Sequence, residues 1–202
     1  MQPPSLILIT DTARFSGESF FRAAESALAN GVDAILVREK EMTSARLLAL
    51  ASRLRGMTRS HGARLLIHSQ ADVARAVDAD GVHVASRDLE AIPAIRNWLH
   101  GEEMSLSASC HSSEELLLAG QAGADFALLA PVFPTPSHPG SPALGVEKFQ
   151  ALAAQAKMPV LALGGITADN RDQLAGCGLA VISAVLAAAD PGRAARQLAG
   201  RS

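Results

Sequence analysis

Short apolar runs alternate with longer amphipathic runs along this chain, and the pair recurs eight times. The apolar runs fall at 6–10, 34–39, 64–68, 81–84, 105–110, 126–132, 159–165 and 179–185. Helix-like patterns fit between them, near 17–30, 44–60, 70–77, 88–99, 112–122, 146–156, 167–175 and 190–199. Strict alternation of strand and helix predicts a parallel sheet of the α/β class. Eight units predict closure into a single (β/α)8 TIM barrel over residues 1–202. Such barrels carry their chemistry on the loops that follow the strands, so the polar residues there are the candidate site.

Composition agrees with that frame and narrows the partners. The chain of 202 residues is 49% hydrophobic, with 3% aromatics and no Tyr, so the predicted core is Ala, Leu, Val and Ile. Small branched side chains suit the layers inside a parallel barrel. A net charge of −2 gives no electrostatic case for nucleic acid or an anionic membrane. No apolar run reaches the ~18 residues of a membrane span, and MQPPSLILITD has neither a basic n-region nor a long apolar h-region. Cys110 and Cys177 read as reduced thiols, so a cytoplasmic location is expected. The one long irregular stretch, 133–144, holds four prolines, which predicts an ordered loop after the sixth strand.

The strand ends supply the candidate chemistry. The second strand ends in Arg38-Glu39-Lys40, and alternation points Arg38 and Lys40 one way, toward a phosphate, and Glu39 the other. His68 ends the third strand, where a packed role and a ligand-facing role are both open. His83, within Gly-Val-His-Val, reads as a hydrogen-bonded core residue, and Asp88 as a helix N-cap or first-turn acid. Ser109 and His111, two apart, can face one side and move protons, with no third group to complete a triad. Ser112 or Ser113 can cap the next helix. Thr135, Ser137 and His138 form a hydroxyl- and imidazole-bearing rim. Gly164-Gly165, then Ile182-Ser183, follow the seventh and eighth strands, the usual phosphate position of this fold. No histidine pair has zinc spacing, and no GxGxxG or Walker loop is present.

These strand-end residues resemble the thiamin phosphate synthase and TenI family of (β/α)8 barrels. The matching runs include Leu8-Ile9-Thr10-Asp11, Val37-Arg38-Glu39-Lys40, Asp80-Gly81-Val82-His83, Ser109-Cys110-His111, Pro131-Val132-Phe133-Pro134-Thr135, Gly164-Gly165-Ile166 and Val181-Ile182-Ser183-Ala184. The runs Ser-Cys-His-Ser-Ser-Glu-Glu and Phe-Pro-Thr-Pro-Ser-His-Pro-Gly are most similar to synthase-like domains fused to Nudix hydrolases. The family synthase joins a pyrimidine pyrophosphate to a thiazole phosphate, with Mg2+, and releases pyrophosphate. The resemblance implies that Arg38 and Lys40 face the pyrophosphate. Ser109 and Thr135 lie near it, and Gly164, Gly165, Ile182 and Ser183 hold the thiazole phosphate.

The chain also departs from the family pattern. Leu36 replaces a glutamine, and His68-Ser69-Gln70 stands for Asn-Asp-Arg, which removes a metal-binding aspartate. Asp88 is then the one matching acidic ligand, so Mg2+ binding is expected to be weak or absent. In Thr135-Pro136-Ser137-His138 the family's pyrophosphate lysine has become His138, which titrates near neutrality. The catalytic histidine of TenI falls at Pro131. The leading expectation is a synthase-like protein of thiamin biosynthesis or salvage, binding a phosphorylated thiazole or pyrimidine, with an altered pyrophosphate half-site. One alternative is a TenI-like tautomerase or other proton-transfer enzyme using His68, His111 or His138. Another is a non-catalytic phosphate-binding regulatory module, for which those histidines are dispensable. A homo-oligomer is compatible with each reading.

Overall fold

The computed structural model describes residues 2–100, 103–135 and 142–201. Eight strands follow one another: β1 Leu6–Ile9, β2 Ala34–Val37, β3 Arg64–His68, β4 Gly81–Val84, β5 Ser105–Cys110, β6 Phe126–Leu129, β7 Val160–Leu163 and β8 Leu179–Val181. All pairings are parallel, and β8 returns to β1 to close the barrel. The helices are α1 Gly17–Ala29, α2 Ser44–Ser60, α3 Ala71–Ala76, α4 Ile92–Trp98, α5 Ser113–Ala122, α6 Val146–Gln155, α7 Ser183–Leu186 and α8 Pro191–Leu198.

Alternation along each strand makes two cores. Ile7, Ile9, Ala34, Leu36, Leu66, Phe126, Leu128, Leu161 and Ala180 point inward and fill the barrel. The residues between them, such as Leu8, Ile35, Leu65 and Ile67, pack outward against the helices. Helix α1 meets them with Phe20, Ala24, Ala27 and Leu28, one stripe at helical spacing. Ser112 caps α5 by accepting from the Glu115 N–H at 3.2 Å, the role its sequence position predicts. Cys110 and Cys177 are both free thiols, and burial pushes the Cys110 thiol up to about 12.

One device repeats around the bottom of the barrel. An aspartate just before an even-numbered strand accepts from the N–H of the preceding odd-numbered one. Asp33 takes Leu6 N–H at 3.0 Å, Asp80 takes Leu65 N–H at 2.7 Å, and Asp125 takes Leu106 N–H at 2.6 Å. Arginines brace two of them, Arg55 on Asp80 at 2.5 Å and Arg96 on Asp125 at 2.8 Å.

The boundaries shorten several of the strands read from the pattern, among them β2, β6 and β7, and three differences are larger. The run 179–185 contains only the three-residue β8, because Ser183–Leu186 turn at once into α7. The pattern at 167–175 yields a single 3-10 turn, Arg171–Leu174. The run 88–99 divides into a 3-10 segment, Ser86–Ala91, and α4, with Asp88 at non-helical φ −115° and ψ 15°. The run after β8 is apolar enough to read as strand or helix, whereas the mostly polar 167–175 has too few apolar positions to hold a full helix.

Candidate functional site

The C-terminal ends of the strands open into a cavity of about 550 Å³. Arg38 and Lys40 line it from β2, His68 from β3, His83 from β4, and Ser109 and His111 from β5. Thr135 lines it from the loop after β6, Gly164 and Gly165 from the end of β7, and Ile182 and Ser183 from the end of β8. Leu36, Leu128, Leu163 and Ala180 make an apolar floor between them. Ser137 and His138 lie outside the described residues.

Register and alternation aim the β2 cations. Thr10 Oγ1 accepts from the Arg38 N–H at 3.0 Å. The Glu39 carboxylate turns the other way, taking Thr12 N–H at 3.0 Å and Thr12 Oγ1–H at 2.7 Å. Arg38 and Lys40 therefore face the cavity together, and neither forms an ion pair among the described residues. Burial lowers the Arg38 guanidinium, and the Arg38 charge is the first cause that lowers Lys40. Among the described residues that line the cavity there is no carboxylate.

Three histidines face this field. His68 donates from Nδ1 to the His83 carbonyl at 3.1 Å, because a carbonyl can only accept. The same nitrogen lies 3.1 Å from Ser69 Oγ, and Ser69 is held at φ 60°. Burial first, then the charges of Arg38, Lys40 and Arg87, push the His68 pKa down to about 4. His83 is 1% exposed, and burial followed by His68 and Arg38 brings it to about 3. Both rings are therefore neutral near pH 7, with centroids 5.8 Å apart. His111 donates from Nδ1 to the Ala130 carbonyl at 2.9 Å, which leaves Nε2 as the basic nitrogen of its neutral form.

Ser109 and His111 both line the cavity, as their spacing allows, but they hydrogen-bond different partners. Ser109 Oγ lies 2.8 Å from His83 Nε2. Position along β5 explains the difference: His111 lies just past the strand and turns to β6, whereas His83 stands opposite Ser107 on β4. His83 is the core residue its apolar neighbours predicted, and it also forms part of the cavity wall. Its pattern, Gly-Val-His-Val, carried no sign of the second role.

The glycines at β7 are required by packing as well as by conformation. Gly164 and Gly165 sit at φ 99° and 66°. A Cβ at Gly165 would meet the Pro134 carbonyl oxygen at 2.5 Å and Phe133 Cβ at 2.7 Å. Asn170 Nδ2 donates to the Gly165 carbonyl at 2.9 Å and ties the loop in place. Ser183 and Ala184 open α7, where first-turn N–H groups have no partner within the helix.

The donor set does not suit a resident Mg2+. Among the described residues no three of His, Cys, Asp and Glu come together as a metal group. Asp88 is outside the cavity lining, with Arg87 Nε 3.4 Å from its carboxylate. Ser69, at the family's aspartate position, is turned to His68. Hard cations take several oxygen ligands, carboxylates above all.

The fold and this mouth define a (β/α)8 barrel whose described cavity lining carries the cations Arg38 and Lys40 and no carboxylate. The chain belongs to the thiamine monophosphate synthase family, whose model matches residues 6–188. It is 37% identical to a thiamine-phosphate synthase of Chloroflexus aurantiacus, over 96% of this chain and 90% of that one. It is also 37% identical to one of Syntrophomonas wolfei, over 96% and 94% of the two chains. A thiamine phosphate pyrophosphorylase from Pyrococcus furiosus superposes with a TM-score of 0.84 at 34% identity, covering 96% of this chain and 93% of that one. A 3-hexulose-6-phosphate synthase at 19% identity and a TM-score of 0.76 shares the fold.

Proposed function

We propose that this chain is a transferase of the thiamine-phosphate-synthase type, serving thiamine biosynthesis or salvage, with a pyrophosphate half-site that relies on protein cations. The observation that carries this reading is the pair Arg38 and Lys40 in a lining whose described residues include no carboxylate. The Arg38 charge lowers Lys40 in a partly apolar cavity, and a polyanion bound beside both cations relieves that repulsion. Across the mouth, the loops after β7 and β8 offer Gly164, Gly165, Ile182 and Ser183 to a second phosphate. The apolar floor between the two ends suits flat heteroaromatic rings.

In the proposed reaction the bond from the pyrimidine methylene carbon to the pyrophosphate oxygen breaks, and pyrophosphate leaves with the electron pair. The thiazole nitrogen lone pair forms the new C–N bond, and the ring becomes a thiazolium. Arg38 and Lys40 meet the charge that grows on the leaving group, and Ser109 donates to it. The test is incubation of the protein with the pyrimidine pyrophosphate and the thiazole phosphate, following thiamine phosphate and pyrophosphate, with Mg2+ and with EDTA. Product formation that falls in Arg38→Gln is expected. No product in either condition, together with no heat of thiazole phosphate binding, overturns the reading.

His111 favours a second reading. Its Nε2 is a base in the cavity wall, oriented by Ala130. A proton-transfer enzyme acting on a thiazole phosphate would exchange ring-adjacent protons for deuterium without the pyrimidine, and His111→Gln would stop the exchange.

A further inference from the structure

Three side chains below the mouth form one line of hydrogen bonds. β4 and β5 pair with His83 opposite Ser107. Ser109 lies two residues further along β5, on the same face. The His83 ring sits between two hydroxyls, with Nδ1 2.9 Å from Ser107 Oγ and Nε2 2.8 Å from Ser109 Oγ. Ser107 is 0% exposed and does not line the cavity, whereas Ser109 does.

A neutral imidazole donates from one nitrogen and accepts at the other, so there are two ways to arrange this line. If Nδ1 carried the proton, Ser107 would accept, and its own hydrogen would be left without a partner in a fully buried place. Among the described residues the Ser107 hydroxyl has no other hydrogen bond. A buried donor left unmade costs more than an unused oxygen lone pair. The other arrangement strands nothing. Ser107 donates to Nδ1, Nε2–H donates to Ser109 Oγ, and the Ser109 hydrogen is free to point into the cavity.

We propose that Ser107 and His83 are positioning residues: together they fix Ser109 as a hydrogen-bond donor aimed at an anion in the mouth. Without the relay Ser109 can spend its hydrogen on His83, and it then presents lone pairs to that anion. Each bond in the line polarises the next, so the effect of Ser107 reaches a ligand it never touches. The inference rests on the anion-binding reading of the mouth, but the tautomer can be read with no ligand present.

Nitrogen-15 spectra of the ligand-free protein, with histidine rings assigned through their own couplings, show which His83 nitrogen bears the proton. Nε2–H is expected, and Nδ1–H overturns the proposal. The affinity for inorganic pyrophosphate is then measured by calorimetry for the native protein, Ser107→Ala, Ser109→Ala and the double variant. Ser107→Ala should weaken binding by about three- to tenfold, the worth of one hydrogen bond. That loss should vanish in the Ser109→Ala background, and Ser107→Thr should retain native affinity. Unchanged affinity in Ser107→Ala, or the same loss in both backgrounds, overturns the relay. A native protein that ignores pyrophosphate while His83 is Nε2–H would overturn the functional reading and leave the tautomer standing.

Discussion

At the scale of the residue, charge state decides what the mouth can do. The His68 ring is neutral because burial and the nearby Arg38, Lys40 and Arg87 charges oppose its protonation. The consequence for stability has a definite sign. An unfolded imidazole takes its proton near 6.5, and the native ones at about 4 for His68 and about 3 for His83. Between those values the unfolded chain binds more protons, so stability is lost as pH falls from about 6.5 toward 4. Urea denaturation across that window should therefore show a shallower pH slope in His68→Gln than in the native chain. One proton corresponds to about 1.4 kcal/mol per pH unit. Equal slopes would mean that His68 is protonated normally. Bound pyrophosphate should offset the two β2 cations and raise the His68 midpoint, which NMR titration with and without the anion would detect.

At the scale of the element, the two ends of the barrel have different jobs. Asp80 ties β3 to β4 from below, holding Leu65 N–H and the Arg55 guanidinium. Asp80→Ala removes both partners and leaves Arg55, whose side chain is only 13% exposed, without its 2.5 Å partner. A loss of about 2–4 kcal/mol is expected in denaturant unfolding. Ligand affinity measured below the transition should stay within twofold of native, about the scatter of a surface change. At the upper end, Gly165→Ala places a Cβ against Pro134 and Phe133 at positive φ. It should cost about 1–3 kcal/mol in thermal unfolding through strain alone. A bulky residue there would displace the loop carrying Thr135, so lost phosphate binding in Gly165→Val would not isolate a phosphate contact. Ser183→Ala tests that half-site with less disturbance of the backbone.

At the scale of the molecule, closure of the sheet gathers eight strand ends around one cavity. Residues as far apart in the chain as Arg38 and Ser183 line it together, on strands separated only by β1. A ligand held there couples loops from both halves of the chain, so it should stabilise the whole barrel. Saturation at a hundredfold over Kd adds about 2.7 kcal/mol, visible as a rise in Tm with thiazole phosphate and pyrophosphate together. Because the described lining lacks carboxylates, EDTA should change pyrophosphate affinity by less than about tenfold, while added salt should weaken it. A strict Mg2+ requirement with Asp88 in coordination would show that the acid swings away from Arg87. Among the described residues no helix is long and apolar enough to cross a membrane.

The alternation of apolar and amphipathic runs determined the barrel by itself, since the periods of strand and helix are local properties of consecutive residues. It also placed Arg38, Lys40, Ser109, Gly164 and Gly165 near the strand ends, where the structure has them lining one cavity. Sequence could not decide the length of β8, because Leu-Ala-Val and the residues that start α7 are equally apolar. Nor could it separate Ser109–His111 from Ser109–His83. Both pairs are compatible with alternation, and only the β4–β5 register puts a ring from another strand within 2.8 Å. The Asp33, Asp80 and Asp125 ties were hidden for the same reason: each aspartate bonds a strand 15 to 27 residues earlier. The neutrality of His68 likewise arises from burial in the closed barrel and then from charges on two other loops. Local periodicity is written in neighbours along the chain, whereas partners and charge states are set by neighbours across the barrel.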